Sequence, residues 1–236
     1  MRRILLFMLW GAASWACQAG IIASSTRVIF REDETQKSLM LVNTNSWPVV
    51  VQTWVDDGGA HPVPGKVKTP FVAIPPVFQL SAKGMQGLRL IHNKMALPAD
   101  RESAFWLNIY EIPPTKASVA TQQQNMVLTI NTQMKIFWRP AKLNNPESAR
   151  KQITFRRDGA GLICHNASPY HVSFADISVD EGGKTYSVDP LPDMMVPPFS
   201  EKRYSLSSAA PLYLTSVQAR IIGDEGKAVG YTYPVH

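Results

Sequence analysis

Residues 97–114, LPADRESAFWLNIYEIPP, contain the run Phe105–Tyr110, which is aromatic or aliphatic throughout except for Asn108. Runs of this kind are typical of β-strands, and the prolines at both ends of the stretch limit the strand because they lack an N–H group. Similar short runs occur at Val49–Val55, Met126–Ile130 and Pro211–Val217. No segment carries a sustained helical repeat. The sequence therefore predicts an all-β protein of short strands joined by turns.

The strand-like runs fall into two groups. The polar stretch Lys142–Arg150 separates Lys135–Pro140 from the next run, which starts at Gln152, and no internal repeat relates the two halves. The predicted domains are residues 20–140 and 141–236, each near the ~100 residues of an immunoglobulin-like sandwich. We therefore expect two immunoglobulin-like β-sandwich domains.

The first residues have the layout of a secretory signal. Arg2 and Arg3 precede the apolar run Ile4–Trp10, and small residues at Cys17 and Ala19 predict cleavage after residue 19. The run is shorter than the ~20 apolar residues of a membrane-spanning helix, so we expect export without membrane insertion. Cys164 would be the one cysteine of the mature chain, which favours a buried small hydrophobe over a disulfide.

Composition and motifs exclude several function classes. The net charge of +6 falls to (24 − 2) − 18 = +4 without Arg2 and Arg3, and the cations are dispersed, so nucleic acid is not expected as a partner. The chain lacks G-x-S-x-G, H-E-x-x-H, Walker and G-x-G-x-x-G motifs, and its five His are scattered. We predict no catalytic residues, no metal site and no cofactor.

Residues 97–114 resemble, at all 18 positions, the signature of the periplasmic pilus-assembly chaperones of the chaperone–usher pathway. Further segments resemble the same family in chain order: Thr26–Phe30, Gln52–Asp57, Ile74–Pro76, Lys135–Pro140 and Asn166–Tyr170. The resemblance implies two sandwiches set at an angle, like a boomerang, in the periplasm. It also allows a cis peptide bond before Pro75.

The resemblance implies a chaperone that binds, folds and caps fimbrial or pilus subunits and delivers them to the outer-membrane usher. Such subunits lack a final strand, and the chaperone completes their sheet by donating an edge strand, a form of β-augmentation. The sequence does not decide whether free chains associate with each other through that strand. The alternative is a secreted pilus structural subunit or another non-enzymatic β-sandwich binding protein, although a subunit usually has one sandwich with a disulfide.

Three groups of residues are candidates for this function. Met126, Leu128 and Ile130, here called the donor stripe, share one face of a strand because side chains two apart do so. By pattern alone the stripe would face the protein's own core, whereas the resemblance makes it the part that enters the subunit groove.

The resemblance makes Arg27 and Lys135, the anchor pair, the ligands of the subunit's terminal carboxylate, which suits their donor chemistry. It makes Glu102, Arg139 and Asp224, the junction network, an ion-pair group between the domains. Strict alternation places Lys135 on the face opposite the donor stripe, although both should contact the same subunit. A bulge or a strong twist between Asn131 and Lys135, or a Lys side chain that rounds the cleft floor, would reconcile the two roles.

Overall fold

A computed structural model describes residues 20–59, 63–114, 128–159, 161–181, 183–206 and 214–235. The predicted signal at residues 1–19 and Met126 of the donor stripe lie outside these ranges. Within the described ranges the chain forms 17 β-strands and a 3₁₀ helix at Pro146–Gln152. In the same ranges, no helix combines the length and the apolar character needed to cross a membrane.

Nine strands build the first sandwich. They are β1 (Ile21–Ala23), β2 (Arg27–Arg31), β3 (Gln36–Asn43), β4 (Val49–Asp56), β5 (Phe71–Ile74), β6 (Val77–Leu80), β7 (Met85–His92), β8 (Ser103–Ile112) and β9 (Ile130–Arg139). One sheet has the order β1-β3-β7-β5 and the other β2-β9-β8-β4-β6. Leu41 and Leu90 from the first sheet and Phe30 and Leu107 from the second are fully buried in one apolar cluster, so the two sheets enclose a common core.

Eight strands build the second sandwich. They are β10 (Ile153–Asp158), β11 (Gly161–Asn166), β12 (Val172–Glu181), β13 (Lys184–Ser187), β14 (Met195–Val196), β15 (Ser200–Ser205), β16 (Ser216–Ile222) and β17 (Ala228–Pro234). The sheets have the orders β10-β11-β15 and β13-β12-β16-β17, with β14 paired to β12. Phe155 and Leu162 from one sheet meet Ile177 and Val217 from the other in a separate core.

Residue alternation accounts for these strands. In β4, Val49, Val51 and Val55 are buried whereas Val50 is exposed, as expected for a strand with one face on a core. The strands predicted at Val49–Val55 and Phe105–Tyr110 are confirmed as parts of β4 and β8. The prediction of an all-β chain with two sandwiches is confirmed as well, while the boundary between residues 140 and 141 stays a prediction. The Ile74–Pro75 peptide bond is cis.

The strand predicted at Pro211–Val217 begins later than expected. Strand β16 starts at Ser216, so Leu214 and Thr215 lie before it, and residues 211–213 fall outside the described ranges. The register explains the late start, because β16 pairs with β17 from Ser216, which lies opposite Pro234, onwards. An apolar run extends a strand only as far as a neighbouring strand supplies hydrogen bonds.

Cys164 lies in the core of the second sandwich with no exposed surface. Burial and the nearby Glu201 charge raise the pKa of its thiol to about 12, so the reactive thiolate is suppressed at neutral pH. We expect Cys164 in the native mature chain to resist a maleimide reagent and to react fully in urea. Rapid labelling of the native chain, followed by mass spectrometry, would contradict this expectation.

Candidate functional site

The anchor pair lies on neighbouring strands. β2 and β9 run parallel, and Arg27 is directly opposite Lys135 in their register. The next residues, Val28 and Ile136, are buried in the first core. Because successive side chains point to opposite faces, Arg27 and Lys135 leave the outer face of this sheet side by side.

Both cations of the anchor pair contact the second sandwich. Nη1 of Arg27 donates a hydrogen bond to the carbonyl oxygen of Ile222 at 3.2 Å. Nζ of Lys135 donates to Oδ1 of Asp193 at 2.7 Å. The pair therefore lies between the two sandwiches, where a chain end could reach both groups.

One hydrogen-bond donor of the Arg27 side chain is unpaired in the part of the chain that the structure describes. Its Nε is buried and has no partner among the described residues. Burial lowers the pKa of Arg27, and the charges of Asp224 and Glu102 partly oppose this effect. The guanidinium carbon lies 5.8 Å from the centre of the Phe137 ring. A buried donor without a partner is costly, so a carboxylate at this place would be stabilised.

Two residues of the donor stripe are exposed, Leu128 by 71% and Ile130 by 44%. Ile130 shares a face of β9 with Met134 and Ile136, which are buried in the first core. Ile130 therefore continues the core face of β9 beyond the point where the sandwich covers it. Surface-exposed side chains of this size on a strand end are candidates for contact with a partner.

One edge of β9 is also open beside the stripe. On one side β9 pairs with β8 from Ile130 to Trp138. On the other side, within the described residues, β2 pairs with β9 only from Lys135 to Arg139. The backbone of residues 130–134 can therefore accept a further strand.

The prediction of a strand over Met126–Ile130 is wrong for Leu128 and Thr129, which precede β9. The pairing with β8 gives the reason, because its register continued by two residues would place Leu128 opposite Pro113. Proline has no N–H group and cannot extend the ladder. Leu128 is therefore outside the sheet until another strand supplies hydrogen bonds.

No bulge changes the side-chain alternation between Ile130 and Lys135 in β9. The register of β8 and β9 is continuous from Ile130 to Trp138. Of the three alternatives, a bulge between Asn131 and Lys135 is therefore wrong, and the other two stay predictions. Ile130 of the stripe and Lys135 of the anchor pair therefore lie on opposite faces of β9.

The junction network is connected by short contacts. Nε of Arg139 donates to Oε1 of Glu102 at 2.6 Å, and its two Nη atoms donate to the carboxylate of Asp224 at 2.7 and 2.9 Å. The side chains of Arg139 and Glu102 are 3% and 2% exposed. Burial alone would lower the pKa of Arg139, but the hydrogen bonds and charges of Asp224 and Glu102 outweigh it and raise the pKa.

The junction network crosses from one sandwich to the other. Arg139 ends β9, whereas Asp224 lies in the turn between β16 and β17. Oε2 of Glu102 also accepts the backbone N–H of His171 at 2.8 Å. The role of these residues in fixing the domain arrangement stays a prediction, although the contacts it requires are present.

Sequence reasoning missed two polar contributors to this region. Asn108 lies fully buried in mid-strand, where its Oδ1 accepts from Asn131 at 2.9 Å and Gln133 at 3.0 Å, and its Nδ2 donates to Asp56 at 2.7 Å. The isolated Asn in the run Phe105–Tyr110 was the available signal. Asp193, the partner of Lys135, has no comparable signal because it lies in a loop.

The chain matches two family profiles. Residues 20–144 match "Pili and flagellar-assembly chaperone, PapD N-terminal domain", and residues 148–233 match "Pili assembly chaperone PapD, C-terminal domain". The chain belongs to the PapD family of pilus-assembly chaperones. This membership confirms the resemblance and speaks against the alternative of a pilus structural subunit.

Individual chaperones are also similar to this chain in sequence and in structure. The probable fimbrial chaperone YadV of Escherichia coli K12 is 35% identical over 205 residues, which cover 84% of this chain and 82% of the relative. The crystal structure of the Pseudomonas aeruginosa CupB2 chaperone has 32% identity and a TM-score of 0.77, covering 91% of this chain and 100% of that one. The Salmonella enterica SafB chaperone, solved with the SafA pilin, has 26% identity and a TM-score of 0.76, with 92% and 97% covered.

Proposed function

We propose that this chain is a periplasmic chaperone that captures fimbrial or pilus subunits by donating the edge of β9, and passes them to the outer-membrane usher. The open edge of residues 130–134, with exposed Leu128 and Ile130 beside it, carries this proposal. The signal-like residues 1–19 support the location, and the SafB chaperone of similar fold is solved together with a pilin. The chain acts as a binding protein, without catalysis and without a cofactor.

The physical basis is the completion of an unfinished sheet. A subunit that lacks its last strand exposes an apolar groove bordered by unpaired backbone groups. β9 supplies backbone partners to the groove edge, and the donor stripe of Met126, Leu128 and Ile130 fills its interior. The bound subunit is stabilised by mass action until a stronger strand replaces the chaperone.

The apolar contacts dominate the affinity. Burial of each stripe side chain contributes ~1.5–3 kcal/mol, whereas each backbone hydrogen bond contributes a net ~0.5–1.5 kcal/mol. The hydrogen bonds require a fixed strand direction, so they determine register more than strength. We infer that Arg27 and Lys135 bind the terminal carboxylate of the subunit and thereby fix the position of its C-terminus on the chaperone.

Leu128→Glu tests the donor role. We expect this variant to lose co-purification with a pilus subunit in periplasmic co-expression, because a charged side chain cannot enter an apolar groove without a large desolvation cost. The thermal stability of the free variant should be unchanged, since Leu128 is 71% exposed and precedes β9.

Val72→Glu is the matched control, because Val72 is 49% exposed on the outer face of the other sheet of the same sandwich. This variant should co-purify with the subunit as well as the natural chain does. The proposed function is wrong if Leu128→Glu captures the subunit normally, or if both variants lose it equally.

A further inference from the structure

Asp193 occupies the place that the proposed function reserves for the subunit's carboxylate. It lies in the loop between β13 and β14 of the second sandwich, and its Oδ1 accepts a hydrogen bond from Nζ of Lys135 at 2.7 Å. The side chains of Lys135 and Asp193 are 20% and 37% exposed, so the ion pair is partly shielded from water. The positive charge of Lys135 is therefore already paired with a carboxylate in the free chain.

The carboxylate of Asp193 is held in position by its own sandwich. The same Oδ1 accepts the backbone N–H of Met195 at 2.9 Å, which closes a tight turn. Nζ of Lys202 donates to the carbonyl oxygens of Asp193 at 2.6 Å and Met195 at 3.1 Å. The hydroxyl of Tyr204 donates to the carbonyl oxygen of Met194 at 3.1 Å. Four hydrogen bonds thus fix this loop without any contribution from Lys135.

We propose that Asp193 is an internal competitor for Lys135, and that capture of a subunit exchanges one carboxylate for another. This inference rests on the proposed function. Two carboxylates beside one ammonium repel each other, so a terminal carboxylate gains the contact with Lys135 only by weakening the contact with Asp193. The free energy needed to weaken the ion pair of Lys135 and Asp193 therefore reduces the affinity for the terminal carboxylate.

The competition also selects among ligands. A carboxylate that meets Lys135 alone replaces one ion pair by an equal one and gains little. A carboxylate that also reaches Arg27, whose side chain is only partly buried, gains a second positively charged hydrogen-bond donor. Arg27 and Lys135 are opposite each other in the register of β2 and β9, so one chain end can meet both. Asp193 therefore favours a chain end seated along the open edge over a random acidic side chain.

Asp193→Asn tests the competition while it preserves the turn. Its side-chain oxygen can still accept the N–H of Met195, but the negative charge is gone. The probe is a synthetic peptide of the final strand of a co-purifying subunit, prepared with a free terminal carboxylate and as the terminal amide. We expect the variant to bind the free acid roughly 2- to 5-fold more tightly in calorimetry, as for loss of a partly exposed charge pair. Binding of the amide should not change.

Asp176→Asn is the control for charge alone, because it removes one negative charge of the same sandwich that pairs with Arg220. It should leave both affinities unchanged. Weaker or equal binding of the free acid by Asp193→Asn, or an equal gain for the amide, would overturn the inference. Asp193→Ser, whose hydroxyl can also close the turn, should give the same gain as Asp193→Asn, and a melting temperature shows that each variant is folded.

The same titrations separate this inference from the proposed function. If the natural chain binds the free acid no better than the amide, the anchor role itself fails. If the natural chain prefers the free acid and Asp193→Asn does not strengthen that preference, only the competitor role fails.

Discussion

Arg139→Ala should lower the free energy of unfolding by about 3–5 kcal/mol, the loss observed when one partner of a buried ion pair is removed. Glu102, whose side chain is 2% exposed, would lose its guanidinium partner and keep the backbone N–H of His171 as its one hydrogen-bond donor among the described residues. Asp224 would lose both of its bonds to the first sandwich. Urea denaturation followed by tryptophan fluorescence measures the loss.

Arg220→Ala is the matched control for the Arg139 prediction. Arg220 binds the single carboxylate of Asp176, and its side chain is 60% exposed, so water replaces the lost contact and the free energy of unfolding should fall far less than for Arg139→Ala. Equal decreases in the free energy of unfolding for the two variants would show that burial does not strengthen the ion pairs of Arg139. Small-angle scattering tests the proposed junction role, because an unchanged envelope for Arg139→Ala would mean that the network does not hold the domains in place.

Asn166→Ala should destabilise the second sandwich by about 3 kcal/mol or more, since each buried group left without a partner costs ~1–3 kcal/mol. Asn166 is fully buried, and its Nδ2 donates to the carbonyl oxygens of Tyr170, Val196 and Pro197 at 2.7, 3.3 and 2.9 Å. Its Oδ1 accepts both the N–H and the hydroxyl of Ser168. Alanine can replace none of these contacts.

Asn93→Ala provides the comparison for Asn166→Ala. Asn93 also bridges backbone groups, those of Thr69 and Met95, but in an exposed loop where water replaces the lost contacts. Its removal should change the free energy of unfolding by no more than about 0.5 kcal/mol. Thermal denaturation of both variants decides the point, and a loss of 1 kcal/mol or less for Asn166→Ala would be incompatible with its assigned role.

Regular alternation made much of the fold predictable. β4 follows from its sequence because every second side chain is buried against a core, and β8 follows from a run of aromatic and aliphatic residues that favour strands, and both signals are local. The extent of the strand before β9 was not predictable, because Leu128 has the right character but faces Pro113 in the continued register. Hydrogen bonding to a neighbouring strand is a tertiary property that no run of apolar residues contains.

The candidate site was predictable only where a known family supplied the correspondence. Glu102, Arg139 and Asp224 are distant in sequence, and nothing in their spacing indicates that they meet. Asn43 repeats the role of Asn166, since its Nδ2 donates to carbonyl oxygens of Trp47, Leu80 and Ser81. When the segments NTNSWPV (43–49) and NASPYHV (166–172) are aligned position by position, only the first residue, Asn, and the last, Val, are identical, so this structural repeat is nearly invisible in the sequence.

The division of β9 into a packed half and an open half affects how often one molecule can work. Met134, Ile136 and Trp138 are buried in the first core of the free chain, in which one edge of residues 130–134 has no neighbouring strand among the described residues. If the proposed function holds, departure of a subunit leaves the carrier folded and ready for the next one. A small pool of such molecules could then serve a fibre of many subunits, turning over without synthesis of new chaperone.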